Sequence, residues 1–213
     1  VSSGNVYCWG KANYGKLGFD PNLTVGEVSG ISTATQISLH YNSICARLSD
    51  STVDCFIGSH SGTHFSSAVQ VSSGFLFHCA VLSDGVVNCW GYNSNGQLGD
   101  GSTTQRNTPV AVSGISNATQ VSANWYHACA RLSDSTIKCW GQNNNGRLGD
   151  GSTTQRTTPV TVSGISNATQ VSTGESHSCA RLSDSTLKCW GYNNAGRLGD
   201  GSTTQRTTPV AVS

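Results

Sequence analysis

The chain alternates short β-branched runs with clusters of Gly, Ser, Asn and Asp, and no stretch of a dozen residues carries a helical period. From Ala168 onward the pattern predicts four strands: Ala168–Thr173, His177–Leu182, Thr186–Gly191 and Thr208–Ser213. The second and third are joined by Ser183-Asp184-Ser185, or by Ser83-Asp84-Gly85 in another copy, as expected of a tight hairpin.

The pattern recurs. Cys-Trp-Gly stands at Cys8–Gly10, Cys89–Gly91, Cys139–Gly141 and Cys189–Gly191, with a degraded copy at Cys55-Phe56-Ile57-Gly58. The last three copies are 50 residues apart, and about a fifth of positions differ between Trp90–Cys139 and Trp140–Cys189. Such a period with four short strands per unit predicts an all-β fold, a β-propeller of four-stranded antiparallel blades. Units break near 33, 67, 117 and 167. The short unit over 55–68 is expected to lack its fourth strand. The chain reads as a single array over 1–213. It opens on strands three and four of a blade and contains about four and a half blades, as expected of a segment of a longer ring.

These residues resemble a known family. Val81-Leu82-Ser83-Asp84-Gly85, Trp90-Gly91-Tyr92-Asn93 through Gly96-Gln97-Leu98-Gly99, and Gly174-Glu175-Ser176-His177 are similar to the regulator-of-chromosome-condensation repeat. Pro209 stands at the family's later proline, expected to open the fourth strand. The resemblance implies a propeller, commonly seven-bladed, and a structural hydrogen bond for His127 and His177. It implies no single activity, because members include exchange factors, enzyme inhibitors and scaffolds.

Charged residues make up 11% of the chain and the formal net charge is +1. That leaves no basic face of the kind nucleic-acid binding requires. No apolar run approaches the length of a membrane span.

Eight of the nine cysteines form four pairs ten residues apart, each flanking the same hairpin: Cys45/Cys55, Cys79/Cys89, Cys129/Cys139 and Cys179/Cys189. With Asp84 at the turn centre, Cys79 and Cys89 lie opposite each other at bridging distance, so disulfides are expected, with free buried thiols as the alternative. Thiolates on separate blades do not converge on one metal. Cys8 is left unpaired. Disulfides imply an oxidising compartment, and therefore an extracellular or cell-surface location.

No Ser/His/Asp or Cys/His constellation stands out from the repeat, so no catalytic residue, metal or cofactor is assigned and the chain reads as non-enzymatic. His60 and His64 have the spacing of a ligand pair, but among Ser, Gly and Thr they read as loop. Asn143–Ser152 has the oxygen-rich composition of a calcium loop, yet Asp100/Arg106, Asp150/Arg156 and Asp200/Arg206 recur as loop-fixing pairs. Asn22, Asn117 and Asn167 begin glycosylation sequons.

Differences between the last two full units concentrate in one window. Ala123-Asn124-Trp125-Tyr126-His127-Ala128 faces Thr173-Gly174-Glu175-Ser176-His177-Ser178. The corresponding earlier windows are read as Ser38–Ser43 and Ser73–His78. The window joins first strand to second, so Tyr41, Phe75, Leu76, Phe77, Trp125, Tyr126 and Glu175 are expected on one rim. Two readings of those aromatics stand: an exposed binding surface for a protein or glycan, or packing between blades. At the level of function these become a recognition module, an inhibitor of a secreted enzyme among them, or a self-associating structural repeat.

Overall fold

A computed structural model describes residues 4–9, 25–28, 31–40, 43–57, 60–61 and 65–213. Those residues form strands, turns and connecting segments, with no helix. Strands β1 (Tyr7–Trp9) and β2 (Val25–Glu27) pair as a two-stranded sheet. Four four-stranded antiparallel sheets follow, one per repeat. They are β3–β6 (Ala34–His40, Ser43–Leu48, Val53–Ile57, His60–Ser61), β7–β10 (Ala68–Ser73, Phe77–Leu82, Val87–Gly91, Arg106–Ala111), β11–β14 (Ala118–Asn124, His127–Leu132, Ile137–Gly141, Arg156–Thr161) and β15–β18 (Ala168–Thr173, His177–Leu182, Leu187–Gly191, Arg206–Ala211). Each sheet is ordered along the sequence, which is the topology of a propeller blade.

Two strand expectations need correction. The fourth strand begins at Arg206, not Thr208, because Arg206 pairs with Gly191 across a bulge before Val210 pairs with Cys189. Pro209 therefore sits within that bulge rather than opening the strand, a place where its missing N–H costs no ladder bond. The unit around Cys55 keeps a fourth strand, shortened to β6, with Phe56 opposite Ser61 and Ile57 opposite His60.

The cysteine pairs are disulfides: Cys45–Cys55, Cys79–Cys89, Cys129–Cys139 and Cys179–Cys189, with Cα atoms 4.0–4.1 Å apart. Each pair sits directly opposite in the ladder between second and third strands. Cys8 is free and buried.

Cys and Trp of the last three Cys-Trp-Gly copies point to opposite faces, as adjacent strand residues must. Cys79 and Cys89 share a core with Trp140 of the next blade, and Cys129 and Cys139 share one with Trp190. With Cys45, Cys55 and Trp90 in a third such core, three successive interfaces pack the disulfide of one blade against the indole of its successor. Trp140 Nε1 donates to the Gln97 carbonyl at 2.9 Å and Trp190 Nε1 to the Arg147 carbonyl at 2.8 Å, so neither buried donor is orphaned. Gly99 makes room for this contact: its φ is +67°, and a Cβ would meet the Trp140 ring at 2.9 Å.

The first strands are tied edge to edge by side chains. Gln36, Gln70 and Gln120 each span to the next first strand, bonding the N–H and C=O of Val71, Val121 and Val171 respectively. Ser38, Ser72 and Ser122 accept from the N–H groups of Ser73, Ala123 and Thr173. A glutamine amide thus replaces the backbone pairing that the splay between blades forbids.

Candidate interaction surface

The connection from first to second strand emerges at the same end of every blade. Ladder pairing sets Ser38 opposite Cys45 and Ser122 opposite Cys129. By that register Leu39, not Ser38, corresponds to Ala123. The window read from sequence as Ser38–Ser43 is therefore displaced by one residue; His40 takes the place of Asn124 and Ser43 that of His127.

Phe77 departs from the expected rim. It is fully buried, at the place His127 holds in the next blade, and belongs to the core shared with Ala128 and Trp140. Gly74 leaves space for it, since a Cβ there would lie 2.1 Å from the ring. The outward-facing half of the window behaves differently. Phe75, Leu76, Trp125 and Tyr126 are half-buried and Glu175 is exposed. Tyr41 and Asn22 lie outside the described residues, as does His64.

Phe75 and Trp125 stack with ring centroids 5.0 Å apart and planes 9° from parallel, and the Phe75 N–H donates to the Trp125 carbonyl at 3.2 Å. Tyr126 packs edge-on to both, 5.5 Å from Phe75 and 5.8 Å from Trp125. Stacked and T-shaped pairs of this kind add roughly 0.5–1.5 kcal/mol each beyond area burial.

His40, from the sheet two blades back, closes the group. Its ring lies 5.9 Å from Trp125, and its Nε2 is 3.0 Å from Asn124 Oδ1. Asn124 in turn donates from Nδ2 to the Thr173 carbonyl in the following blade, at 2.9 Å. His40 and Asn124 each end the first strand of their sheet, so two sheets that are not neighbours meet here through their first strands, at the inner edge of the rim. Sequence reading missed His40 and Asn124 as members, because their 84-residue separation has no signature in the repeat.

Two recesses flank the aromatics. One of about 120 Å³ is lined by Trp125, Tyr126, Gln142, Arg147, Glu175 and Ser176. The other, about 250 Å³, lies between Leu76, Tyr92 and the Gln105–Asn107 segment. Leu76 is held there at φ +59°, a backbone conformation disfavoured for a bulky side chain. The guanidinium of Arg147 is buried and anchored by the Glu175 carbonyl at 3.0 Å and Asn145 Oδ1 at 2.8 Å. Burial lowers its pKa to about 10, opposed by the nearby Glu175 carboxylate, so it stays charged at neutral pH.

The oxygen-rich loops are closed on themselves. Asp150 accepts from Ser152 N–H and Oγ and pairs with Arg156 at 2.9 Å; Asp100 with Arg106 and Asp200 with Arg206 repeat the arrangement. Partial burial would raise the Asp150 pKa, but the Ser152 and Arg156 bonds outweigh it and hold the carboxylate below its usual range. Asn143, fully buried, donates to Asp150 Oδ1 and to the carbonyls of Ser152 and Thr154, and accepts from Leu148 N–H. Cys45, Cys55 and His78 also cluster, but the two sulfurs are bonded to each other and so offer no thiolate to a metal. Asn117 and Asn167 precede first strands, at the end of the blade opposite the aromatics.

The repeat signatures of one family match residues 84–131 and 139–181, and a second signature of the same family matches 68–97, 118–147 and 168–197. Both are described as the regulator of chromosome condensation (RCC1) repeat.

The chain belongs to the RCC1 repeat family.

Its fold matches a crystal structure of human WBSCR16, at 18% identity and TM-score 0.84, over 96% of this chain and 60% of that one. Yeast RCC1 (Prp20) bound to Kap60 matches at 16% identity and TM-score 0.82, over 99% and 57%. The ectodomain of the receptor kinase CR4 from Physcomitrella patens matches at 22% identity and TM-score 0.54, over 75% and 41%. The chain spans about 60% of the length of WBSCR16. No curated protein sequence matches. Within the RCC1 array of this chain, the aromatic cluster falls on residues that differ from blade to blade.

Proposed function

We propose that this RCC1-repeat chain is a non-enzymatic recognition module that binds a protein partner through the rim carrying Phe75, Trp125 and Tyr126. The single observation that carries this reading is the aromatic cluster itself: three large rings, all partly open to solvent, contributed by two blades and braced by His40 from a third. Rigid aromatics are the residues from which interface anchors are made, since they offer large area at little entropic cost. The fold supports the same reading, because RCC1-type propellers serve as interaction modules, as in the complex of yeast RCC1 with Kap60. Glu175 and Leu76 extend the proposed surface on either side.

Disulfides in four consecutive blades support placement in an oxidising compartment, extracellular or on a cell surface. Asn117 and Asn167, on the opposite end of their blades, are candidate glycan acceptors that would leave the aromatic rim open.

The test compares wild type with Trp125→Ala/Tyr126→Ala, and with Asn117→Ala as a control on the far rim. Each is immobilised and exposed to surface-protein extracts and to a glycan array. Protein partners retained by wild type and the control but lost by the double variant support the proposal. Loss only of glycan binding would move the reading to carbohydrate recognition. A change confined to sedimentation of the chain itself would favour a self-associating scaffold.

A further inference from the structure

Four disulfides occupy equivalent places, but their surroundings differ. Cys79–Cys89 lies in the blade before Ala128 and Cys129–Cys139 in the blade before Ser178, whereas the residue at that position facing Cys45–Cys55 is His78. His78 is fully buried, with Nδ1 3.1 Å from Cys45 Sγ and 3.1 Å from Ser73 Oγ. The Ser73 hydroxyl donates its own hydrogen to the Ser38 carbonyl at 3.2 Å. Ser73 Oγ is therefore an acceptor toward His78, which puts the imidazole proton on Nδ1 and aims it at Ser73 and Cys45 together. Nε2 has no hydrogen-bond partner among the described residues, consistent with a neutral ring whose pKa burial lowers to about 3.

The outer side differs as well. Cys89, Cys139 and Cys189 each pair with a fourth-strand valine: Val110, Val160 or Val210. On the outer edge of β5 the described partners are Ser61 opposite Phe56, His60 opposite Ile57 and Phe65 bridging Val53, so among the described residues no valine stands opposite Cys55.

We infer that Cys45–Cys55 is a site of covalent modification by small-molecule thiols, with Cys55 as the sulfur attacked and Cys45 as the leaving group. An external thiolate forms a bond to Cys55 Sγ as the Cys45–Cys55 bond breaks, and the electron pair leaves on Cys45. The His78 Nδ1–H donates a hydrogen bond to that thiolate, which then takes the proton the external thiol released to solvent. Net, one thiol and one disulfide give one mixed disulfide and one thiol. A dithiol completes the cycle by attacking the mixed disulfide, leaving both cysteines reduced and itself oxidised to a cyclic disulfide. A hydrogen bond that stabilises the leaving thiolate lowers its pKa and speeds exchange. Ala128 offers no such donor. His78 is a positioning residue in this scheme.

The test is graded reduction of the native chain with dithiothreitol, trapping with N-ethylmaleimide and mass mapping. Cys45–Cys55 is expected to open about tenfold or more ahead of Cys79–Cys89 and Cys129–Cys139. Exposure to glutathione is expected to leave the adduct on Cys55. His78→Ala should slow opening of Cys45–Cys55 by a similar factor, although the cavity it creates would speed attack if access alone governed the rate. Simultaneous opening of the three pairs, an adduct on Cys45, or an unchanged or faster rate in His78→Ala each overturns the inference.

Discussion

His127 Nε2 lies 2.9 Å from Ser178 Oγ across a blade boundary, and the Ser178 hydroxyl donates onward to the Arg147 carbonyl at 3.0 Å. One blade earlier the corresponding residues are Phe77 and Ala128, both fully buried in one core. One blade earlier again they are Ser43 and His78, both buried. Each boundary thus combines a large residue with a small one, and polar with polar or apolar with apolar. The inner half of the variable window records matched packing between blades, while its outer half faces solvent.

This matching predicts compensation. Ser178→Ala removes the partner of a buried imidazole nitrogen and should cost about 1–3 kcal/mol in urea denaturation. Adding His127→Phe reproduces the Phe77–Ala128 boundary and should recover most of that loss. A double variant no more stable than Ser178→Ala would show that the pairs are independent.

Trp140→Ala empties the boundary core and orphans the Gln97 carbonyl. A loss of about 3–5 kcal/mol is expected, as for other large-to-small changes at buried aromatic sites. A loss below about 1 kcal/mol would mean that the indole is not part of the boundary core.

The hairpin turns invite stabilisation. Gly85 adopts φ +82° at the last position of its turn, whereas Ser51, Ser135 and Ser185 hold the same place at +66°, +63° and +67°. Left-handed backbone costs an ordinary residue about 1–2 kcal/mol, which glycine avoids at some entropic expense to the unfolded chain. Ser135→Gly should therefore raise stability slightly, by about 0.5 kcal/mol or more. Thermal melting checks it, and a lowered midpoint counts against the turn geometry.

Acid should destabilise the fold through its buried histidines. Burial lowers the His78 pKa to about 3 and holds His127 well below the ordinary imidazole range. Below pH 6.5 the unfolded chain takes up protons that the folded chain refuses. The stability present above pH 6.5 is then lost as pH falls toward 3, by up to about 1.4 kcal/mol per unit for each such histidine. The denaturation midpoint should drop between pH 6.5 and 4, and the His127→Phe/Ser178→Ala variant should show a shallower slope. Equal slopes would place the titration elsewhere.

Asn143 gathers four acceptors and one donor with a single side chain. Asn143→Ala should cost about 2–3 kcal/mol by leaving Leu148 N–H and a carbonyl unpaired in the core. Hydrogen exchange should show the 143–154 loop opening first, and uniform exchange across the blade would contradict that order.

What the sequence determined by itself was whatever repeats or acts locally. The 50-residue period, the cysteines ten apart around Asp84, and the strand over Ala168–Thr173 are all set within one hairpin or by comparison of one unit with the next. Alternation along a strand likewise put Trp140 and Cys139 on opposite faces before any neighbour was known. Only the tertiary structure decided which residues of the variable window face the next blade. Phe77 and Phe75 are two apart with the same side chain, yet one fills the space above Gly74 and the other stacks on Trp125. Nor does the repeat say that His40 meets Asn124 two blades away, since that contact depends on how first strands converge toward the inner edge. Periodicity is written into each unit, but the angle between units comes from large and small side chains meeting across a boundary, and neither partner alone specifies it.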